Sequence, residues 1–335
     1  MHLFVNAAGC VNACRHCSAD GQPPHGSLYA LQELREIVRA WGTVYPYFEA
    51  TAHPEFPDIL APEIAGDAGG VLATTGAGLA GRDDAVVALR RLRAFGYATL
   101  SFTLHGLEAH HDWFVGRKGA FQALMTANRH AVAAGLGVHW NVFLDRRNLP
   151  EIPELLARGR EEFGITAWLD IPAHRVSARL WRYESLRPDL QGVQRLLSQL
   201  DAAVWEGPLK NRPLDAYTEG AWLQAWQRCS DMAAFRHPFE PPAWPPAACP
   251  EHLVCYLMPE RQLFLEPMCG AWMPLGILPA TPSAAIARLH AVDAPPYAAL
   301  RPADARLPER DSDVLHTQGY SVRYKAISTE VFGDQ

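Results

Sequence analysis

Apolar and polar positions along the chain follow two rhythms in turn. In "HLFVNAA", "VYPYFEAT", "GVLATTG", "YATLSFTLHG", "LGVHWNVFLD" and "ITAWLDIPA", apolar residues run together or recur at every second position, the period of a strand. Between them, "LYALQELREIVRAWG", "PDILAPEIAGD", "DDAVVALRRLRAFG", "AFQALMTANRHAVAAG" and "LPEIPELLARGREEFG" repeat apolar residues at three and four positions, as one face of a helix does. "LQGVQRLLSQLDAAVWEG" follows the sixth strand in the same way. Ser27 stands where it caps the first helix, and several others stop at glycine, which takes up the left-handed conformation that ends a helix. Strands alternating with helices predict right-handed crossovers and a parallel sheet. Six such units make an open barrel and fall short of a closed eight-fold one. The fold class expected is therefore α/β, a partial (βα)6 TIM-like barrel over residues 1–204, with a small C-terminal extension built on a β-hairpin.

The rhythm breaks after that. Residues 205–248 hold a Trp-containing helical stretch, "YTEGAWLQAWQRCSDM", and a Pro-rich linker, "HPFEPPAWPPAACP". Residues 249–290 contain "LVCYLMPERQLFLEPMCGAWMPLGIL", which reads as two short strands around "PERQ". Residues 291–335 form a tail rich in Ala and Pro that ends in the strand-like "YSVRYKAISTEVF".

Composition narrows the function classes. With 49% hydrophobic and 20% charged residues, the 335-residue chain reads as an ordinary globular protein. Its net charge of −6 and the lack of a basic stretch argue against nucleic acid as a partner. No apolar run reaches the roughly 18 residues of a membrane span. The N-terminal "MHLFVNAAGC" has no basic region followed by a long apolar one, so no secretory signal is expected and the chain is placed in the cytoplasm. Cysteines there stay reduced, and clustered ones more often bind metal than form disulfides.

Three of the seven cysteines lie in "GCVNACRHC", just after the first strand: Cys10, Cys14 and Cys17, spaced C-x3-C-x2-C. Three thiols cannot pair off, and a structural zinc site wants four ligands. Three thiolates do suit a 4Fe–4S cluster with one iron left open. In a parallel barrel the loop after a strand sits at the C-terminal face, where active sites lie.

Here the sequence resembles the radical S-adenosylmethionine (radical SAM) family, and the resemblance runs to about residue 200. It implies that Cys10, Cys14 and Cys17 ligate the cluster and that the amino and carboxylate groups of SAM chelate the fourth iron. One electron then cleaves SAM to methionine and a 5′-deoxyadenosyl radical, chemistry that belongs to the cofactor while the protein positions the C–H bond. "YFEATAHPEF" occupies the slot of the family's G-G-E-P segment; Glu49 matches its acidic residue, which accepts from the SAM ammonium, while Tyr47, Phe48 and Ala50 replace the two glycines and the proline. "ATTGAG" is similar to the T-N-G turn after the third strand and puts Thr74 and Thr75 near the methionine part of SAM. Ser101 and Thr103 alternate onto one face of the fourth strand; Ser101 is expected to reach the SAM ribose or carboxylate, and His105, at the strand's end, to line the substrate cavity. His110, His111 and Asp112 are expected to fix the following loop or to sit in solvent. Trp140 and Asn141 point to opposite faces of the fifth strand, and Asn141 is expected to bond the ribose or adenine. Arg175, after the sixth strand, is placed to clamp a carboxylate or phosphate. His16, between two ligands, is given a rim role.

The other cysteines are Cys229, Cys249, Cys255 and Cys269. The hairpin that brings Cys255 and Cys269 together, followed by "PLGIL", resembles the twitch and SPASM modules of radical SAM enzymes, which implies a second, auxiliary 4Fe–4S cluster on Cys249, Cys255 and Cys269. Its fourth ligand is Cys229, a substrate atom or nothing, and Cys229 is otherwise a buried helix thiol. If a thiol is left over, Cys229 or Cys249 is the candidate to hand a hydrogen atom to a substrate radical.

The function expected is radical SAM chemistry on a small polar natural product, such as a sugar, aminocyclitol or nucleoside-like molecule, ending in oxidation, epimerisation or carbon–carbon bond formation. The chain begins almost directly with its first strand, which favours this over the alternative, modification of a ribosomal precursor peptide. A third reading is a non-catalytic metal-binding scaffold. An external electron donor such as flavodoxin or ferredoxin is the partner implied.

Overall fold

Alternation on the fourth strand sets the layering of the molecule. Leu100, Phe102 and Leu104 are fully buried on one face, while Thr99, Ser101 and Thr103 are only half-buried on the other. Burying each large apolar side chain is worth ~1.5–3 kcal/mol, so the apolar face goes against helices and the polar residues are left on the opposite face of the sheet. The computed structural model describes residues 2–17, 29–42, 44–47, 49–66, 70–171, 183, 185–207, 209–210, 214–218, 222, 254–266, 273–279, 281 and 283–285. Arg175, Cys229, Cys249 and Cys269 lie outside these residues, as does Ser27; the residue that caps the first helix is Ala30.

Ten strands are described: β1 His2–Asn6, β2 Tyr45–Tyr47, β3 Val71–Thr74, β4 Thr99–Leu104, β5 Gly137–Phe143, β6 Ala167–Asp170, β7 Trp205–Glu206, β8 Val254–Leu257, β9 Gln262–Glu266 and β10 Met273–Ile277. The helices are α1 Leu31–Trp41, α2 Pro62–Ala65, α3 Ala77–Ala80, α4 Ala85–Ala94, α5 Glu108–Val115, α6 Ala120–Ala133, α7 Ile152–Phe163 and α8 Leu190–Gln199. One sheet has the order β3-β4-β5-β6-β7 and is parallel throughout; the other has the order β10-β9-β8-β1-β2.

The parallel pairing expected from the strand–helix alternation is present, with β7 added just beyond residue 204. The single run of six strands is not: β2 and β3 belong to different sheets. The second strand, expected across "VYPYFEAT", is only three residues long, and Pro46 at its centre has no N–H to donate. The helix expected over "PDILAPEIAGD" is likewise cut to a turn at Asp58–Leu60 and the short α2, because Pro62 has no N–H and starts a new helix. Side-chain bonds bridge β2 and β3 instead, as described below.

Trp140 shows how the buried face is tied down. It is fully buried, and its indole N–H donates to Asn128 Oδ1 of α6 at 2.8 Å. On the helix side Gly159 of α7 lies so close that a Cβ there would come within 2.7 Å of the Trp140 ring. Late in the chain β8 pairs parallel with β1 and antiparallel with β9, so the expected hairpin exists and also extends the sheet that contains β1. Arg261 folds back at its turn, donating from Nε to Leu278 O at 2.9 Å. No helix among the described residues is long and apolar enough to cross a membrane.

Candidate functional site

The cysteine loop leaves the C-terminal end of β1. Asn6 ends that strand, and its Oδ1 accepts from Gly9 N–H at 2.8 Å, which turns the chain into the loop. Ala13 N–H donates to Val115 O at 2.8 Å and Arg15 N–H to Phe114 O at 3.1 Å, so the loop lies on the end of α5. Arg117 adds a bond from Nε to Asn12 Oδ1 at 2.7 Å. Cys10, Cys14 and Cys17 are all half-buried, and Cys17 N–H donates to Cys14 O at 3.1 Å. Burial, with the negative charge of Glu49 and then Cys17 nearby, pushes the Cys10 thiol up to about 12.

Glu49 is the second part of the site. It follows β2, its N–H donates to Gly9 O at 3.1 Å, and it is 1% exposed. Its Oε1 accepts from Thr51 Oγ1 and from Thr74 Oγ1, the latter at 2.6 Å. Its Oε2 accepts from both the N–H and the hydroxyl of Thr75 at 2.5 Å. Four donors match the roughly four lone-pair sites of a carboxylate. A buried charge needs such bonds, since leaving it bare is costly. The carboxylate therefore joins the end of β2 to the end of β3 where no sheet ladder does.

These features can be set beside known structures. No protein-family model matches the chain, and no curated protein matches it by sequence. Among solved structures, Streptococcus suis SuiB bound to S-adenosylmethionine matches with a TM-score of 0.52 and 14% identity, over 91% of this chain and 68% of SuiB. The chain shares that fold. SuiB bound to the precursor peptide SuiA matches with a TM-score of 0.49 and 13% identity, over 80% of this chain and 59% of SuiB. The chain spans about 59–68% of the length of these two structures.

Within this SuiB-like fold the less buried faces of β4, β5 and β6 form one wall, polar at Ser101, Thr103, His139, Asn141 and Asp170 and aromatic at Phe143 and Trp168. The register sets Ser101 beside His139, Thr103 beside Asn141 and Phe143 beside Asp170. Ser101 Oγ and His139 Nδ1 are 3.0 Å apart, and burial lowers the His139 pKa. Asn141, not Trp140, is on this face, and its Oδ1 is buried with no hydrogen-bond partner among the described residues. An unsatisfied buried acceptor is costly, so a donor from a bound molecule is the natural complement.

His105 does not line an open cavity. It is 1% exposed, its ring is stacked on Phe114 with centroids 4.0 Å apart, and His16 covers it at 4.9 Å. Burial, then the neighbouring His16, His111 and His110, holds it well below the usual histidine range. His105 and Phe143 thus form a packed floor under the cysteine loop, onto which the loop's own His16 packs at 4.9 and 5.1 Å. Of the two alternatives for the next residues, the buried one holds: His110 Nε2 lies 2.7 Å from Asp145 Oδ2, and Asp112 accepts from Phe121 N–H at 2.9 Å and from Gly119 N–H. Asn148 completes the floor by donating to His105 O and Phe143 O at 2.9 and 2.7 Å.

Cys255 is buried completely on β8, in register with Leu3 and beside Leu257 and Leu263 in the apolar core. Burial pushes its thiol up to about 12. Three residues of the site escaped the sequence reading. Thr51 carried a local signal, two positions after Glu49, and His139 carried one in its alternation with Asn141. Trp113, which is flanked by Arg15 and Arg147, carried none, because those contacts join three separate segments.

Proposed function

We propose that the chain is a radical SAM enzyme in which Cys10, Cys14 and Cys17 hold a 4Fe–4S cluster. The observation that carries this reading is the junction of the cysteine loop with Glu49, whose N–H is bonded to Gly9 and whose charge is felt at Cys10. The donor set fits such a cluster. Cys10, Cys14 and Cys17 are three reduced, half-buried thiols of one loop, and a cluster takes one thiolate at each of three separate irons. SuiB, whose fold the chain shares, is bound to S-adenosylmethionine, which supports the same molecule as co-substrate here. When bound, the cluster supplies the electron that splits SAM into methionine and a 5′-deoxyadenosyl radical.

The chain's own residues divide the remaining work. Glu49 offers a fixed anionic acceptor for the SAM ammonium, which takes the place of one of the threonine hydroxyls now bonded to it. Asn141 Oδ1 accepts from SAM or substrate, and Ser101 and His139 continue the polar wall. This wall favours a small polar substrate, with a precursor peptide as the alternative. Cys255 is read as a core thiol, so an auxiliary cluster would rest on Cys249, Cys269 and Cys229.

Anaerobic reconstitution with iron and sulfide, reduction by dithionite and addition of SAM test the reading. About four irons bound per chain through the first motif and release of 5′-deoxyadenosine are expected. Replacing Cys10, Cys14 or Cys17 by Ala removes both. Wild-type protein that neither retains iron nor releases 5′-deoxyadenosine refutes it. Product analysis with polar metabolites in one arm and short peptides in the other separates the two substrate classes.

A further inference from the structure

The two faces of β1 differ in character. Leu3 and Val5 are fully buried in the apolar core. Phe4 alternates onto the other side, where its ring stacks on Tyr45 and Tyr256, its register partners on β2 and β8, at 5.2 and 5.3 Å. Asn6 follows on that same side at the last position of the strand, where the cysteine loop begins. It is 1% exposed. Its Oδ1 is taken by the Gly9 N–H at 2.8 Å, and its Nδ2 is buried with no hydrogen-bond partner among the described residues.

The orphaned group is a donor by necessity. An amide carries one oxygen and one NH2, and turning it over would set the NH2 against the Gly9 N–H, donor to donor. Leaving a buried NH2 bare is costly, so an acceptor belongs beside it. Its place narrows what that acceptor is. Gly9, which Asn6 holds through the N–H and Glu49 holds through the carbonyl oxygen, is followed directly by Cys10. The Glu49 carboxylate already accepts from Thr51, Thr74 and Thr75. The Asn12 backbone N–H bonds the Cys10 thiol and favours its thiolate, so the loop already directs one N–H at sulfur. The acceptors a cluster brings to this loop are sulfurs, thiolate and sulfide alike, and N–H bonds to them set the reduction potential.

We propose that the Asn6 side-chain NH2 donates to a sulfur of the cluster held by Cys10, Cys14 and Cys17 and holds its reduction potential up. The proposal rests on the function proposed above and adds a residue outside the cysteine motif that tunes the cluster. Reduction adds one electron, and so one negative charge, to the cluster. An N–H donor bonds the more negative form more strongly, so Asn6 favours the reduced cluster over the oxidised one.

The test uses the full reconstituted chain without SAM, reduced stepwise by dithionite with redox mediators and followed by the EPR signal of the reduced cluster. Asn6→Leu is neutral and of similar size but has no donor. Asn6→Asp keeps an acceptor for Gly9 and replaces the donor by a charge. Gln191→Glu, exposed in the first turn of α8, controls for an amide-to-acid change. At a fixed potential the reduced-to-oxidised ratio is expected to fall about tenfold in Asn6→Leu, a shift of ~59 mV for one electron. It falls further in Asn6→Asp and stays within about twofold in the control. Wild type labelled with 15N at its asparagine side-chain amides shows a 15N coupling to the reduced cluster in pulsed EPR, and both Asn6 variants lose it. An unchanged potential in Asn6→Leu overturns the proposal even where Asn6→Asp shifts, since charge alone accounts for the latter. A wild type without the 15N coupling also overturns it, and decides the question where the variants fail to hold a cluster. So does a coupling that survives in either Asn6 variant, or a shift that appears only once SAM is added, which places the amide on SAM instead. Wild-type chain that binds no iron–sulfur cluster refutes the radical SAM reading and this inference together; a cluster with the same potential in wild type and Asn6→Leu refutes the inference alone.

Discussion

Gly78 sits in α3 directly against the turn that carries Glu49. A Cβ on Gly78 would lie 2.3 Å from the carbonyl carbon and oxygen of Thr51 and from the backbone nitrogen of Ala52. Backbone cannot rotate away as a side chain can, so Gly78→Ala must drive the turn off α3 by more than about 1 Å to reach ordinary contact. Overpacking of this kind costs about 1–3 kcal/mol. The same shift stretches the bonds from Thr74 and Thr75 to Glu49, now 2.5–2.6 Å, and each bond to a charged group is worth ~1.5–3 kcal/mol. With one such bond lost, the total is roughly 3–6 kcal/mol, and Tm falls by roughly 5–15 °C. Gly81, three residues on, is the matched control: nothing lies within 4 Å of its Cβ position and its φ is −102°. Gly81→Ala is expected to leave stability unchanged or raise it by up to about 1 kcal/mol. Thermal unfolding by circular dichroism compares the two, and SAM titration of the reconstituted proteins reports on Glu49. If both variants melt with the wild type, the contact between α3 and the Glu49 turn is not as tight as argued.

Other outcomes follow from the buried polar groups. Asp145→Ala leaves His110 and the Arg147 and Asn148 N–H groups without their acceptor and should lower stability by about 3–5 kcal/mol, read by urea unfolding; Asp145→Asn should recover part of that. His111, lowered to about 4 by burial, stays neutral in the folded state while an unfolded histidine gains its proton near 6.5. Its contribution is therefore complete above pH 6.5 and is lost as pH falls toward 4, about 2 kcal/mol by pH 5. His105, lowered by the same cause, adds to the loss. A Tm that is flat between pH 7.5 and 5 would contradict this. Trp140→Phe strands Asn128 Oδ1 and should cost about 1–3 kcal/mol without changing SAM affinity, since the indole faces α6 and not the polar wall.

The order of β1 to β6 and the facing of β4 and β5 were legible because they depend on local alternation. Ser101, Thr103 and Asn141 share a face for the same reason that Leu100, Phe102 and Trp140 share the opposite one. The break between β2 and β3 was not legible, because it turns on the short run around Pro46 and on a carboxylate bridge among residues 25 positions apart. His105 was misplaced for a related reason. Its position at the end of β4 suggested an open cavity, but the rings that cover it, Phe114, Phe143 and His16, come from three other segments. Cys255 was visible as a thiol in a hairpin, yet its burial depends on β8 docking against Leu3, which no local pattern encodes.

That docking reaches across most of the molecule. Leu3 and Cys255 are partners in one ladder although about 250 residues separate them in sequence. Closing so long a loop costs entropy before any contact rewards it, and such pairings form late in folding. During synthesis, β1 and the cysteine loop attached to it emerge first, while the strand that covers one edge of β1 emerges only with residues 254–257. A chain stopped short of β8 keeps all three thiols of the motif but leaves a bare strand edge beside them, the kind of edge that recruits other chains.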